Sequence, residues 1–173
     1  MYGKGLLAVI GIVLVGFIGL ARATDLKIAY VDIQKAVNES NAGKDAKKAI
    51  TKEVEKFQRQ IADKQKELQT LKESLEKQAP MLTPDARATR EKEYQNKLRE
   101  FQRWGEDNQN EINQKRVEME RNISIALIKV IQKVGTDEGY TLILEKNENI
   151  VLFASKAIDI TDRVIKAYDA QKK

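Results

Sequence analysis

The stretch KQAPMLTPDA, residues 77–86, contains both prolines of the chain and interrupts a long, charged segment. Pro80 ends the helix that precedes it, because a proline ring clashes with the preceding helical turn. Thr83 has the side chain of a helix N-cap, and Pro84 suits the first helical position, where no backbone donor is needed. These residues predict two helices that meet in a tight turn over residues 79–84.

The segment before this turn has a regular seam, with spacings of 4, 3, 4, 3, 4, 3 and 4 residues. One lysine interrupts the apolar side chains of this seam, which comprises Ile50, Val54, Phe57, Ile61, Lys64, Leu68, Leu71 and Leu75. A heptad repeat of this kind predicts a long helix whose narrow stripe packs against another helix. A second helix, from Pro84 to about Val134, repeats the pattern with more polar interruptions. Since a short turn joins them, we expect an antiparallel hairpin arm over residues 43–134.

Three residues near the middle of the second helix stand out. Phe101 falls on the seam and is predicted to pack inside the hairpin, whereas Trp104 falls off the strict seam and is predicted to remain available for binding. Gly105 falls on the seam, where glycine costs about 1 kcal/mol relative to alanine. It indicates either a close approach of the two helices or a flex point beside Trp104.

The composition excludes several classes of enzyme. The 173 residues include no cysteine and no histidine, so Ser-His-Asp and Cys-His nucleophiles, imidazole or thiolate zinc sites and disulfides are excluded. No glycine-rich phosphate loop follows a predicted strand, and the charged residues, 33% of the chain, are spread evenly rather than gathered at a cleft. We therefore expect no catalytic activity, no cofactor and no metal site.

Residues 1–23 have the pattern of a secretory signal peptide. Lys4 supplies a positive charge, the segment 6–20 is apolar and uncharged, and Ala21 and Ala23 form an A-x-A cleavage site. We predict export across the cytoplasmic membrane and cleavage after Ala23. The alternative is an uncleaved membrane anchor, although 17 apolar or small residues are somewhat short for a hydrocarbon core of about 30 Å.

The positive charge of the mature chain lies on the predicted arm. Residues 44–133 contain 21 basic and 16 acidic residues, whereas the rest of the mature chain contains 8 and 10. The mature net charge of +3 is mild, and no dense basic patch with interleaved aromatic residues is present, so no nucleic-acid partner is expected. The charge of the arm predicts a salt-sensitive attraction for acidic partners.

The two ends of the mature chain, residues 24–42 and 135–173, are predicted to form a small body. Its three apolar strands are predicted at Leu26–Val31, Tyr140–Leu144 and Ile150–Ala154. The last two flank the turn-rich EKNEN and therefore predict a β-hairpin. Asp32 can cap a brief helix, and Asp159 or Thr161 can cap a C-terminal helix.

These apolar strands bear on the state of association. Their continuous apolar runs predict strands that are buried on both faces. So small a body cannot cover both faces by itself. Open sheet edges would also favour pairing between copies. We therefore expect self-association through the body, with a monomeric α+β body as the alternative.

Two end segments carry a family resemblance. They are KIAYVDIQKAVNESNAGKDAKK, residues 27–48, and GYTLILEKNENIVLFASKAIDITDRVIKAYD, residues 139–169. With the signal peptide and the charged helical hairpin, the chain resembles the Skp/OmpH-like periplasmic chaperones of outer-membrane proteins. The resemblance implies an α+β fold with a small β-barrel-like oligomerisation body and a long antiparallel α-helical coiled-coil hairpin, the tentacle.

The resemblance also implies a function. Such proteins are homotrimers in the periplasm, and their three tentacles enclose a cavity that holds unfolded outer-membrane proteins without ATP. The residues expected in the body and its subunit contacts are Ile28, Tyr30, Val31, Leu142, Leu144, Val151 and Phe153. The expected partners are other copies of the chain and unfolded outer-membrane β-barrel proteins, with possible transient contact with a membrane surface.

Candidate residues for client contact lie on the arm. The apolar candidates are Met81 and Leu82 at the tip and Trp104 along the arm, and the cationic candidates are Lys77, Arg87, Arg90 and Lys97. A holdase needs many weak, replaceable contacts of both kinds. The alternative function is a membrane-anchored coiled-coil spacer or adaptor of the cell envelope, which would retain residues 1–23.

Overall fold

The computed structural model describes residues 26–147 and 149–171. The predicted signal peptide and its cleavage site lie outside these described residues. The chain has an α+β fold that is mostly helical, with elements in the order β1 (Ile28–Val31), α1 (Ile33–Glu39), α2 (Asn41–Gln78), α3 (Pro84–Asp137), β2 (Leu142–Glu145) and α4 (Thr161–Gln171). Short 3-10 turns occupy Ala79–Met81 and Lys156–Ile158. None of the helices described is apolar over a length that would cross a bilayer.

Helices α2 and α3 form a long, thin antiparallel arm. At the standard rise per residue they are about 57 Å and about 81 Å long. Helix α2 begins two residues before the predicted start of the arm, and α3 continues three residues beyond the predicted end. Between residues 44 and 122 only Phe57 is buried, so the arm has a seam but no wide core.

The turn between α2 and α3 is built as the prolines predict. After the 3-10 turn, the Thr83 hydroxyl accepts a hydrogen bond from the Ala86 backbone N–H at 3.4 Å. Pro84 occupies the start of α3, and the Arg87 N–H reaches the Thr83 carbonyl at 2.9 Å. The predicted cap at Thr83 is therefore confirmed, and it satisfies donors that a helix start leaves open.

The sheet of the body is parallel and two-stranded. Strand β1 pairs with β2, with Ile28 opposite Leu142 and Val31 opposite Glu145. The predicted β-hairpin is wrong, because residues 150–154 form no strand in the chain. The backbone N–H groups of Ile150 and Val151 instead bond to the Asn147 carbonyl at 2.9 and 2.8 Å.

The hydrophobic core lies at the base of the arm. The last third of α3 supplies Leu127 and Val130, which pack with Val31 of β1 and Val164 of α4. Helix α1 adds Ala36 and Val37 to this cluster. The arm is therefore anchored in the body through the end of α3, and α1 and α4 complete the packing around it.

A tight junction at Ser40 sets the angle between α1 and α2. The buried Ser40 hydroxyl accepts the Gly43 N–H at 3.2 Å and donates to the Val37 carbonyl at 3.3 Å. A Cβ atom at Gly43 would lie 1.6 Å from the Val37 carbonyl oxygen. Only glycine therefore allows the backbones of α1 and α2 to approach this closely at the junction.

Candidate functional site

The body leaves a group of apolar side chains uncovered. Leu152 and Phe153 have exposed fractions of 89% and 90%. We group them with other exposed apolar side chains of the strands and the following loop and call the set the body rim, defined as Ile28, Leu142, Leu144, Ile150, Leu152 and Phe153. Soluble monomers rarely leave so many large apolar side chains in water, so the body rim is a candidate contact surface.

The residues expected in the body separate into two groups. Tyr30 and Val31 are buried within the chain itself. Val151 is half-buried, and the remaining four belong to the body rim. Along β1 the exposure is confined to Ile28 at the start of the strand, and the three residues that follow it are buried on both faces of the sheet.

A polar network joins β1 to the start of α4. The buried Thr161 hydroxyl accepts the Asp32 backbone N–H at 2.9 Å and donates to Asp159 Oδ1 at 2.5 Å, and the Thr161 N–H reaches the same oxygen at 2.9 Å. Desolvation pushes the pKa of Asp159 upwards, but the hydrogen bonds from Thr161 and Tyr30 outweigh it and hold that pKa below its usual value. Burial and the neighbouring Asp159 charge raise the pKa of Tyr30. The sequence indicated Asp159 or Thr161 as the cap of α4. In the structure the Asp159 carboxylate accepts the N–H of Thr161, the first residue of α4, whereas the Thr161 hydroxyl accepts the N–H of Asp32 instead of one from α4.

An aromatic row crosses the middle of the arm. The ring centroids of Phe57 and Trp104 are 5.2 Å apart with planes inclined at 50°, and those of Phe101 and Trp104 are 6.2 Å apart at 23°. Trp104 is half-buried and contacts Phe57 of α2, so it takes part in the packing between the helices although it falls off the strict heptad positions, and its contact with a client stays a prediction. Because Gly105 has no side chain at the expected seam position, Trp104 supplies the contact with α2.

Gly105 itself is not a point of close helix approach. A Cβ atom added there would meet no other atom within 4 Å. The interpretation of Gly105 as a packing requirement is therefore wrong, and the flex point beside Trp104 remains a hypothesis. The residue that does need to be glycine for packing is Gly43, which the seam pattern did not single out.

A cavity of about 500 Å³ opens beside the aromatic row. We call it the aromatic cavity and define it by its lining residues, Lys64, Glu67, Leu68, Leu71, Lys97, Glu100, Phe101 and Trp104. The Lys64 ammonium group lies 5.0 Å from the centroid of the Trp104 ring, within the range of a cation–π contact. Two predicted client-contact residues, Lys97 and Trp104, therefore meet at one place.

The tip of the arm presents an exposed methionine beside a half-buried leucine. Met81 is 86% exposed, whereas Leu82 is partly covered. Among the other predicted cations, Arg87 pairs with Glu91 at 2.8 Å and Arg90 with Glu93 at 3.4 Å. These pairs are exposed and therefore weak.

Lys77 and Lys97 differ from the two arginines. Both are exposed, and neither makes an ion pair within the part of the chain that the structure describes. They are therefore the predicted cations that are most open to an acidic partner. The same described residues contain no group of three or more acidic side chains arranged to hold a metal ion.

Comparison with known proteins places this architecture in a family. Residues 27–168 match the model of a family described as outer membrane protein (OmpH-like). The chain belongs to the OmpH-like family. One relative of this OmpH-like protein is an uncharacterised protein of Aquifex aeolicus (strain VF5), 31% identical over 144 residues that cover 83% of this chain and 86% of the relative.

A solved structure shares the fold. It is the crystal structure of a candidate outer membrane chaperone (OmpH-like) from Caulobacter crescentus CB15, with a TM-score of 0.78 and 22% sequence identity. The similarity covers 84% of this OmpH-like chain and 85% of the other. It therefore extends to the arm as well as the body.

Proposed function

We propose that this OmpH-like protein is an ATP-independent periplasmic holdase chaperone. It binds unfolded outer-membrane β-barrel proteins in a space between helical arms and keeps them soluble until they insert into the membrane. Copies of the chain join through their bodies as a homotrimer, the assembly that the family resemblance implies. Membership of the OmpH-like family supports this proposal.

The observation that carries the proposal is a long arm joined to a body whose apolar rim is uncovered. Joining bodies through the body rim would remove Leu152 and Phe153 from water, where they are almost fully exposed in the single chain. At about 25 cal/mol per Å² of apolar area, burying such side chains favours association. The same joining would hold several arms around a common space.

The surface of the arm suits transient binding. The arm has an excess of five positive charges over residues 44–133, and Lys77 and Lys97 lack an intramolecular partner among the described residues. An unfolded acidic client would be attracted by several arms at once, and each contact would be weak. Because such contacts are replaceable, the client can leave when its own folding becomes more favourable, and no nucleotide is needed.

The proposal is tested with the mature chain, residues 24–173. Its mass is measured with and without a urea-unfolded β-barrel protein, and light scattering then follows aggregation of the diluted client in the absence of nucleotide. We expect an oligomer that binds the client and suppresses scattering at stoichiometric ratios. A monomer that leaves the aggregation unchanged would reject the proposal.

The spacer alternative predicts a different result. N-terminal sequencing of the exported protein distinguishes the two, since the chaperone begins after Ala23 and an anchored spacer retains the preceding residues. A retained segment together with unaltered client aggregation would favour the spacer.

A further inference from the structure

The aromatic cavity interrupts the seam of the arm near its middle. Its volume of about 500 Å³ falls within the range of about 300 to 1,000 Å³ that is usual for ligand sites. Leu68, Leu71, Phe101 and Trp104 form its apolar walls. The cavity is partly open to solvent, so a side chain from another polypeptide can enter it.

Lys64 interrupts the apolar seam at the aromatic cavity. It occupies the seam position between Ile61 and Leu68, where the heptad pattern calls for an apolar side chain. Its ammonium group lies above the Trp104 ring at 5.0 Å. The aliphatic chain of a lysine is flexible and its ammonium group prefers water. A group that enters the cavity can therefore displace Lys64 from the Trp104 ring.

The charges around the cavity are balanced. Lys64 and Lys97 are matched by Glu67 and Glu100 among the lining residues. None of the four makes an ion pair with another residue in the described ranges. Because positive and negative side chains both surround the aromatic cavity, it has no net preference for an anion or a cation. The apolar walls and the Trp104 ring therefore determine which group fits.

A flat apolar group fits these walls best. Phe57, Trp104 and Phe101 already form a row of rings in contact. A further ring can stack on or meet the edge of Trp104, an arrangement that is favourable beyond the burial of its area. Leu68 and Leu71 add further apolar surface for such a group to contact.

We propose that the aromatic cavity binds one aromatic side chain of an unfolded polypeptide. The inference rests on the proposed function and names what each arm recognises in its client. Transmembrane β-barrels carry girdles of aromatic residues at both membrane interfaces, so an unfolded barrel offers many such side chains. Several arms, each with one weak aromatic site, would hold such a client while it remains exchangeable.

The protein contains its own reporter for this site, because Trp104 is the only tryptophan in the sequence. The probe is a soluble, tryptophan-free peptide in which phenylalanine alternates with serine or threonine, and the matched probe has leucine in place of phenylalanine. Each is titrated into the mature oligomer while tryptophan emission is recorded. We expect a saturable change in emission, with the phenylalanine peptide binding about threefold to tenfold more tightly than the leucine peptide.

A pair of variants tests the position of the site. Leu68→Phe fills the aromatic cavity, whereas Leu75→Phe makes the same substitution beside a smaller neighbouring cavity nearer the tip, which shares only Leu71 with the aromatic cavity. Calorimetry, which does not depend on tryptophan emission, should show at least about a tenfold loss of peptide affinity for Leu68→Phe. Leu75→Phe should bind as the unaltered chain does. Equal affinities for the two peptides, equal losses in the two variants, or tighter binding of a fatty acid such as laurate would overturn the inference.

The same preparations are assayed with the unfolded barrel protein. If the barrel is kept soluble while the peptides show no aromatic preference, the cavity inference fails and the proposed function stands. If the barrel aggregates as it does alone, the proposed function fails.

Discussion

Phe57 and Trp104 pack ring against ring across the middle of the arm, with centroids 5.2 Å apart. Phe57 is the one buried side chain between residues 44 and 122. The contact therefore joins α2 to α3 far from the core at the base. It also places Trp104 at the wall of the aromatic cavity, so the stability of the arm and its proposed recognition site depend on the same ring.

The first prediction concerns this contact. Phe57→Ala should lower the free energy of unfolding by about 3 kcal/mol, because it removes a buried ring and leaves a space that the thin arm fills poorly. Phe101→Ala is the matched control, and its loss should be smaller because Phe101 is only half-buried. Urea unfolding followed by circular dichroism measures both values. Equal losses of unfolding free energy in the two variants would contradict the inference that Phe57 stabilises the arm more than Phe101 does.

The second prediction compares two glycines. Gly43→Ala should destabilise the protein by more than about 2 kcal/mol, since its Cβ would collide with the Val37 carbonyl oxygen 1.6 Å away. Gly105→Ala should instead stabilise it by up to about 1 kcal/mol, because the added methyl group meets no other atom within 4 Å and alanine favours a helix. Thermal unfolding of the two variants checks both signs. A stabilising Gly43→Ala would mean that α1 and α2 do not meet as described.

The third prediction concerns the body rim. Leu152→Ser combined with Phe153→Ser should weaken self-association, since both side chains are exposed in the single chain and would be covered only by another copy. Helical content should stay unchanged, because neither side chain contributes to the core of the chain. Sedimentation at several concentrations measures the effect. Val117→Ser, an exposed apolar position on the arm, is the control and should leave the mass unaltered.

The fourth prediction concerns the tip of the arm. Met81→Ser combined with Leu82→Ser should leave the oligomer intact but weaken capture of an unfolded β-barrel client. The reason is that Met81 is 86% exposed and has little structural role. The mass of the variant tests whether the oligomer stays intact, and suppression of client aggregation tests whether capture is weaker. Capture at the unaltered level would remove the tip from the binding surface.

The fifth prediction concerns acid. The folded chain holds the pKa of Asp159 below its usual value, so ionisation of this carboxylate stabilises the fold. That stabilisation is fully present above the pKa of the unfolded chain and is lost as the pH falls through the folded pKa. Stability should therefore decline below about pH 4.

Asp159→Asn provides the check on this assignment. The variant should be less stable near neutral pH, and the difference from the unaltered protein should shrink in acid. Asp45→Asn, on the arm and outside the Thr161 network, is the matched control. Urea unfolding between pH 3 and pH 7 gives the curves, and parallel curves for Asp159→Asn and the unaltered chain would exclude the network as the cause.

Local signals in the sequence were sufficient for much of the arm. The Thr83 cap and the placement of Pro84 depend on hydrogen bonds and ring sterics within a few residues. The extent of the two helices follows in the same way from a periodic pattern that each segment carries itself. Asp32, whose side chain accepts the Lys35 N–H at 2.8 Å, is a further cap that could be identified from sequence.

Contacts between distant residues were harder to foresee. The segments 140–144 and 150–154 have strand-forming composition and a turn between them, which favours a local hairpin. In the structure β2 pairs with β1 instead, although the whole arm separates these two strands in the sequence. The contact of Trp104 with Phe57 was missed for a related reason, since a strict heptad count does not allow for a neighbour filling the place of a glycine.

The sequence by itself therefore determined the two long helices, the proline turn between them and the apolar surplus of the body. Only the tertiary structure decided the parallel pairing of the strands, the close backbone approach at Gly43 and the opening of the aromatic cavity. Caps, breakers and periodicity act over one or two helical turns and can be identified one segment at a time. The choice of a strand partner and the filling of a seam depend on which distant residues the fold brings together.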